Sequence, residues 1–134
     1  MKVVAFFLSF AVSVLLARAA APQPSGRVVN GKVWCVANPA VPPDSLQKGL
    51  DYACSQVDCS AIQYTGNCVY PDNIHAHASW VYNYYFQMKA RYDYNCYFDN
   101  TALISSTDPS KSPATTIDLI IGFTRYGGCY YLFK

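Results

Sequence analysis

His75-Ala76-His77-Ala78-Ser79-Trp80-Val81-Tyr82-Asn83-Tyr84-Tyr85-Phe86-Gln87 is the stretch on which the fold turns. With Ile74 at the centre of one helical face, Ala78, Val81, Tyr85 and Met88 fall beside it, and His77 and Tyr82 lie at the edges. This stripe predicts a helix from Ile74 to Arg91, capped by Asp72 or Asn73, with one face in the core. Trp80, Asn83, Tyr84, Phe86 and Gln87 fall off the stripe. So many rings around one helix need a cover, either disulfide-linked segments or a ligand with flat apolar faces and polar rims.

Upstream, Lys2, the apolar run Val3 to Leu16 and the small residues of Ala17-Arg18-Ala19 read as a secretory signal peptide, residues 1–19, cleaved after Ala19 or Ala21. The run is shorter than the roughly 20 residues of a membrane span. Loss of Lys2 and Arg18 takes the formal charge from +2 to neutral. A neutral chain without a basic stripe argues against nucleic acid and anionic membrane surfaces as partners. The 134 residues suffice for one domain. The chain's end lacks the small-residue site, spacer and apolar tail of a GPI signal.

Six cysteines, Cys35, Cys54, Cys59, Cys68, Cys96 and Cys129, follow the signal. In an oxidising compartment they should form three disulfides, and the absence of Cys-x-x-Cys, with two histidines diverging on a helix, argues against metal. Six cysteines allow 15 pairings. Spacing favours only Cys54 with Cys59, which close a small loop.

Residues 20–32, rich in Pro, Ser and Gly, read as a flexible leader, and the domain spans residues 33–134. Trp34-Cys35-Val36 is strand-like, with Trp34 a core residue. Asp44 resembles an N-cap with Gln47 as its capping-box partner, and Leu46, Gly49, Leu50, Ala53 and Cys54 predict a helix over Ser45 to Ser55. After the central helix, Tyr92 to Phe98 alternates aromatic and polar residues as a half-buried strand would, and a hairpin with Ala102-Leu103-Ile104 is expected. Residues 111–125 include the β-prone run Ile117 to Phe123 and read as an inserted loop or edge strand.

Taken in order, Trp34-Cys35-Val36, Leu50-Asp51-Tyr52-Ala53-Cys54, Asp58-Cys59-Ser60-Ala61-Ile62-Gln63, Gly66-Asn67-Cys68, His77-Ala78-Ser79-Trp80, Asn83-Tyr84-Tyr85-Phe86-Gln87, Cys96-Tyr97-Phe98, Thr107-Asp108-Pro109-Ser110 and Gly128-Cys129 resemble a plant family. The family is carbohydrate-binding module family 43, the X-8 domain, found in callose-binding proteins and at the C-terminus of some endo-1,3-beta-glucanases. In that family Thr-Asp-Pro-Ser runs almost directly into Gly-x-Cys, so 111–125 is an insertion relative to it. The resemblance implies a small disulfide-rich α+β fold, two helices and a small antiparallel sheet. It also implies the pairs Cys35 with Cys96, Cys54 with Cys59, and Cys68 with Cys129. For function it implies non-catalytic binding of beta-1,3-glucan (callose) of the plant cell wall. With the signal peptide and the cysteine pattern, the expectation is a secreted monomer without metal or cofactor.

Glucan binding needs aromatic faces for sugar rings and amides for their hydroxyls. The expected carbohydrate-binding residues are Trp80, Asn83, Tyr84, Phe86 and Gln87, with Tyr64 and Tyr70 on the loop before the helix, whereas Tyr85 is expected in the core. His75 and His77 read as structural histidines near the helix start. Two alternatives stand beside this reading. One is a cysteine-rich structural or defence protein whose aromatics are all core. The other is a small glycoside hydrolase, which needs two facing carboxylates; all eight acids are aspartates, most of them at caps and turns.

Overall fold

The computed structural model describes residues 23–111 and 129–134. The predicted signal peptide, and all of the 111–125 insertion except Lys111, lie outside the described residues. In chain order the elements are β1 (Trp34–Ala37), α1 (Pro43–Cys54), α2 (Ile74–Met88) and β2 (Ala102–Ser105), with short 3-10 turns at Ser60–Ile62, Asp93–Cys96 and Pro109–Lys111. The fold is thus the small disulfide-rich α+β domain that was expected. Its bridges are Cys35–Cys96, Cys54–Cys59 and Cys68–Cys129, the pairing implied by the resemblance.

α1 starts at Pro43, which suits the first helical position because its missing N–H has no partner there. The expected capping box is absent. Pro42 occupies the cap, Asp44 sits in the first turn, and Gln47 Nε2 donates to Asp51 Oδ1 at 2.8 Å. Leu46, Leu50 and Ala53 form the buried stripe of the helix.

α2 is capped by Asn73, whose Oδ1 accepts the Ala76 N–H at 2.9 Å. It ends at Met88, short of the expected Arg91, because Ala90 and Arg91 turn into left-handed backbone. Ala78, Val81, Tyr82, Tyr85 and Phe86 meet α1's stripe, Cys35 and Cys96 in the core, whereas Met88 is half exposed rather than part of the stripe. Gly49 permits the close approach of the helices: a Cβ there would lie 2.0 Å from the Tyr82 hydroxyl oxygen.

β1 pairs antiparallel with β2 in the register Trp34 to Ser105 through Ala37 to Ala102. The expected hairpin of Tyr92–Phe98 with Ala102–Ile104 does not form. Residues 93–96 coil into a 3-10 turn, and Phe98, Asp99 and Asn100 have positive φ, so the chain reverses and delivers Ala102 beside Ala37.

A polar stripe of α2 serves the β1 backbone. Ser79 Oγ accepts the Ala37 N–H at 3.0 Å, Asn83 Oδ1 accepts the Cys35 N–H at 3.1 Å, and Gln87 Nε2 donates to the Val33 carbonyl at 3.0 Å. The periods agree: four helical residues rise about 6 Å and two strand residues about 6.6 Å. Every fourth α2 side chain therefore meets every second β1 residue and satisfies backbone groups that burial would otherwise leave unpaired.

The segment read as a flexible leader is fastened to the domain from Gln23 onward, where Gln23 Nε2 donates to the Tyr97 hydroxyl at 3.1 Å. Asp93 accepts hydrogen bonds from Ser25 N, Ser25 Oγ and Gly26 N at 2.7 to 2.8 Å, and Val28 bridges Tyr92. The Arg91 guanidinium donates to the carbonyls of Val29, Gly31 and Lys134. Partial burial opposes the Asp93 charge, but the hydrogen bonds from Ser25 and Gly26 outweigh it and hold the carboxyl below its ordinary value. Among the described residues no helix is long and apolar enough to cross a membrane.

Candidate functional site

The expected sugar-binding residues separate into two groups. Asn83, Phe86 and Gln87 are buried, which corrects their placement off the core stripe. Phe86 is core. The two amides are occupied: besides serving β1, Asn83 Nδ2 donates to the Leu132 carbonyl at 2.6 Å, and Gln87 Oε1 accepts the Lys134 N–H at 3.2 Å. They join the helix, the strand and the C-terminal segment, with little surface left for a ligand.

Trp80 and Tyr84 lie on the outer face of α2, partly exposed, with their rings stacked at a centroid distance of 5.2 Å. Trp80 Nε1 donates to the Tyr130 carbonyl at 3.1 Å. Tyr64 and Tyr70, 91% and 67% exposed, project from the loop before α2. His77 has a structural partner, its Nε2 lying 2.8 Å from the Val69 carbonyl, while His75 Nε2 is buried without one among the described residues.

A different place has the shape of a binding site. A groove of about 780 Å³ runs between α1 and residues 94–101, above Tyr85. Phe98 and Tyr85 form its floor. The Phe98 ring lies flat on Tyr82 at 4.0 Å and 6°, and edge-on to Tyr85 at 5.3 Å. Tyr52 and Tyr94, about half exposed, supply the walls. Tyr52 is braced by its hydroxyl 3.4 Å from that of Tyr85, and Tyr94 by its stack on Tyr92 at 5.2 Å. Lys48, Asp99 and Asn100 form a polar rim. Burial first, then the Tyr52 hydrogen bond and the proximity of Tyr52 and Tyr94, push the Tyr85 hydroxyl up to about 12, so it stays protonated and able to donate.

None of the seven expected sugar-binding residues lines this groove. A signal for it was present in α1: Ser45, Lys48, Gly49 and Tyr52 recur at i, i+3, i+4 and i+7, a single flank beside the Leu46-Leu50-Ala53 stripe. The opposite wall was hidden because Tyr92 to Phe98 alternates like a strand. Among the described residues no group of three or more His, Cys, Asp or Glu is arranged to hold a metal.

Comparison with known proteins gives a consistent set of matches. The X8 domain profile matches residues 33–103. The chain is 40% identical over 92 residues to the major pollen allergen Ole e 10 of Olea europaea, covering 67% of this chain and 75% of the allergen. It is 41% identical over 78 residues to plasmodesmata callose-binding protein 2 of Arabidopsis thaliana, covering 58% of this chain and 40% of that protein. A glucan endo-1,3-beta-glucosidase of Triticum aestivum matches at 39% over 103 residues, which are 77% of this chain and only 19% of the enzyme.

Proposed function

The chain belongs to the X8 domain family, and from that premise we propose that it is a secreted, non-catalytic module that binds beta-1,3-glucan of the plant cell wall in the groove between α1 and residues 94–101. The observation that carries this reading is the groove's construction. Two half-exposed tyrosines, Tyr52 and Tyr94, flank an aromatic floor beneath a rim of Lys48, Asp99 and Asn100. Aromatic faces take the apolar faces of pyranose rings, and the polar rim takes their hydroxyls.

Two relatives' names support the ligand class, one calling its protein callose-binding and the other naming a 1,3-beta-glucan as substrate. The match to the enzyme spans a fifth of its length, which fits an accessory module rather than a catalytic one. The groove's chemistry agrees with binding: Asp99 is the one acid among its described lining residues, whereas glycoside hydrolysis uses two carboxyl groups about 5 to 9.5 Å apart.

A second reading puts the glucan on the outer face of α2. The stacked, partly exposed Trp80–Tyr84 pair favours it, with Tyr64 and Tyr70 as exposed rings on the preceding loop. Retention of the oxidised chain on insoluble beta-1,3-glucan, with cellulose as control, tests both readings. The groove reading expects selective retention on beta-1,3-glucan that Tyr52→Ala and Tyr94→Ala abolish and Trp80→Ala and Tyr84→Ala preserve. The reverse pattern moves the site to the outer face. Equal retention on both polysaccharides, or on neither, overturns the ligand assignment.

A further inference from the structure

The rim of the groove contains an unusual piece of backbone. Phe98, Asp99 and Asn100 are three consecutive non-glycine residues with left-handed φ, at 46°, 55° and 62°. Such values are unfavourable for side chains other than glycine, with asparagine and aspartate the best tolerated. The core holds the turn in place from both ends. Two residues before it, Cys96 is bridged to Cys35, and within it the Phe98 ring is stacked on buried Tyr82. After it, Thr101 is buried: its N–H bonds the Tyr97 and Phe98 carbonyls, and its hydroxyl donates to the Phe98 carbonyl at 2.7 Å and lies 2.9 Å from the Tyr82 hydroxyl. The Thr101 carbonyl accepts the Asn38 N–H at 2.8 Å.

Among the described residues this restraint serves no hydrogen bond or ion pair of the Asp99 and Asn100 side chains. Asp99 and Asn100 are exposed and line the groove, and neither side chain has a hydrogen-bond or ion-pair partner among the described residues. A backbone held in a sparsely populated conformation by its surroundings, presenting unpaired polar groups at a cleft, is how a preorganised recognition element is built. A carboxylate accepts from two hydroxyls at once, and a carboxamide both donates and accepts. Together they suit the vicinal hydroxyls of a neutral sugar.

We propose that the left-handed Phe98–Asp99–Asn100 turn is the specificity element of the groove, with the Asp99 carboxylate and the Asn100 carboxamide reading the hydroxyls of a neutral glucan chain whose rings lie against Tyr52 and Tyr94. This rests on the reading of the groove as the glucan site. The turn supplies the selection and the tyrosines supply the sequence-independent contact area.

The test uses the full oxidised chain and a soluble linear beta-1,3-gluco-oligosaccharide, with affinity read by isothermal titration calorimetry and stability by thermal unfolding. Glycine adopts the left-handed conformation freely, so Asp99→Gly and Asn100→Gly are expected to keep or raise the Tm while weakening binding at least tenfold. Asp99→Asn keeps the tolerance for left-handed backbone and removes the charge. It is expected to leave the Tm unchanged and weaken binding several-fold, which decides the matter should the glycine variants fail to fold. Wild-type affinity in these variants, alongside lost binding in Tyr52→Ala, overturns the role of the turn and leaves the groove reading standing. Wild-type affinity in Tyr52→Ala as well overturns the groove reading and the turn's role with it.

Discussion

Gly49→Ala sets two ordinary effects against each other, and the structure decides between them. In an exposed helix the change stabilises by about 1 kcal/mol, because alanine is the better helix former. In α1 the added methyl would sit 2.0 Å from the Tyr82 hydroxyl oxygen and 2.8 Å from its ring carbon Cζ, both closer than van der Waals contact permits. Tyr82 cannot swing aside. Its ring is fully buried and stacked on Phe98 at 4.0 Å, and its hydroxyl lies between the Leu46 carbonyl at 3.3 Å and Thr101 Oγ1 at 2.9 Å. Overpacking of this kind costs about 1 to 3 kcal/mol, and a buried hydroxyl driven from its partners costs about 1 to 3 kcal/mol more. The clash therefore exceeds the propensity gain, leaving a net destabilisation of about 1 to 5 kcal/mol. For a domain of this size a loss of ~2 kcal/mol, toward the low end, corresponds to a Tm drop of roughly 10 °C. Thermal unfolding of the oxidised protein followed by circular dichroism reads it directly. The Tyr82→Phe background should recover part of the loss, because the closest atom is then gone. A Tm that is unchanged or raised in Gly49→Ala would refute the close approach of α1 and α2 at this point.

Three further outcomes follow from the packing. Asn83→Ala leaves the Cys35 N–H and the Leu132 carbonyl without their side-chain partner, and should destabilise by roughly 2 to 4 kcal/mol in urea unfolding; a loss under 0.5 kcal/mol would mean these groups find water. Paired Cys→Ala replacements should rank by the loop each bridge closes: about 4 kcal/mol for Cys35–Cys96, with a sequence separation of 61, against about 2 kcal/mol for Cys54–Cys59, with a separation of 5. For the Asp93 strap the sign follows from its depressed carboxyl, held below the ordinary 3.8. Its attachment to Ser25 and Gly26 is complete above that value and is lost as pH falls through the lower, folded-state value. Amide protection of residues 25 and 26 should accordingly be present at pH 6 and decline on acidification below the ordinary carboxylate value, and Asp93→Asn should abolish that pH dependence; the same acid decline in Asp93→Asn would exclude the carboxylate as the anchor.

The parts of the fold legible in the sequence are those set by local rules. The central helix, its Asn73 cap and the core positions Ala78, Val81 and Tyr85 follow from a 3.6-residue period, and α1 was visible from Leu46, Leu50 and Ala53. The three bridges came with the family resemblance, since spacing alone favoured only Cys54 with Cys59. Helical phase leaves Asn83, Phe86 and Gln87 off the stripe centred on Ile74, but α2 is buried on more than one face: a strand lying along the helix turns the two amides inward, and Phe86 packs in the core. Met88 was read as core, but at the last residue of α2 it is half exposed. Tyr92 to Phe98 alternates like a strand, and only the left-handed backbone of residues 98–100, which no composition signal marks in a run without glycine, turns it into the wall and rim of a groove. That is why the groove's tyrosines were not singled out, although Tyr52 shares an α1 flank with Gly49.

The central claim is that the groove between α1 and residues 94–101 takes beta-1,3-glucan. Titration of the isotopically labelled protein with a linear beta-1,3-gluco-oligosaccharide, followed by two-dimensional NMR, tests it most directly. The account predicts saturable shifts concentrated at Lys48, Tyr52, Tyr94 and residues 98–100, with those at Trp80, Tyr84 and Tyr130 small. Shifts centred on Trp80, Tyr84 and Tyr130 with a silent groove, or no saturable shifts at all, would contradict it.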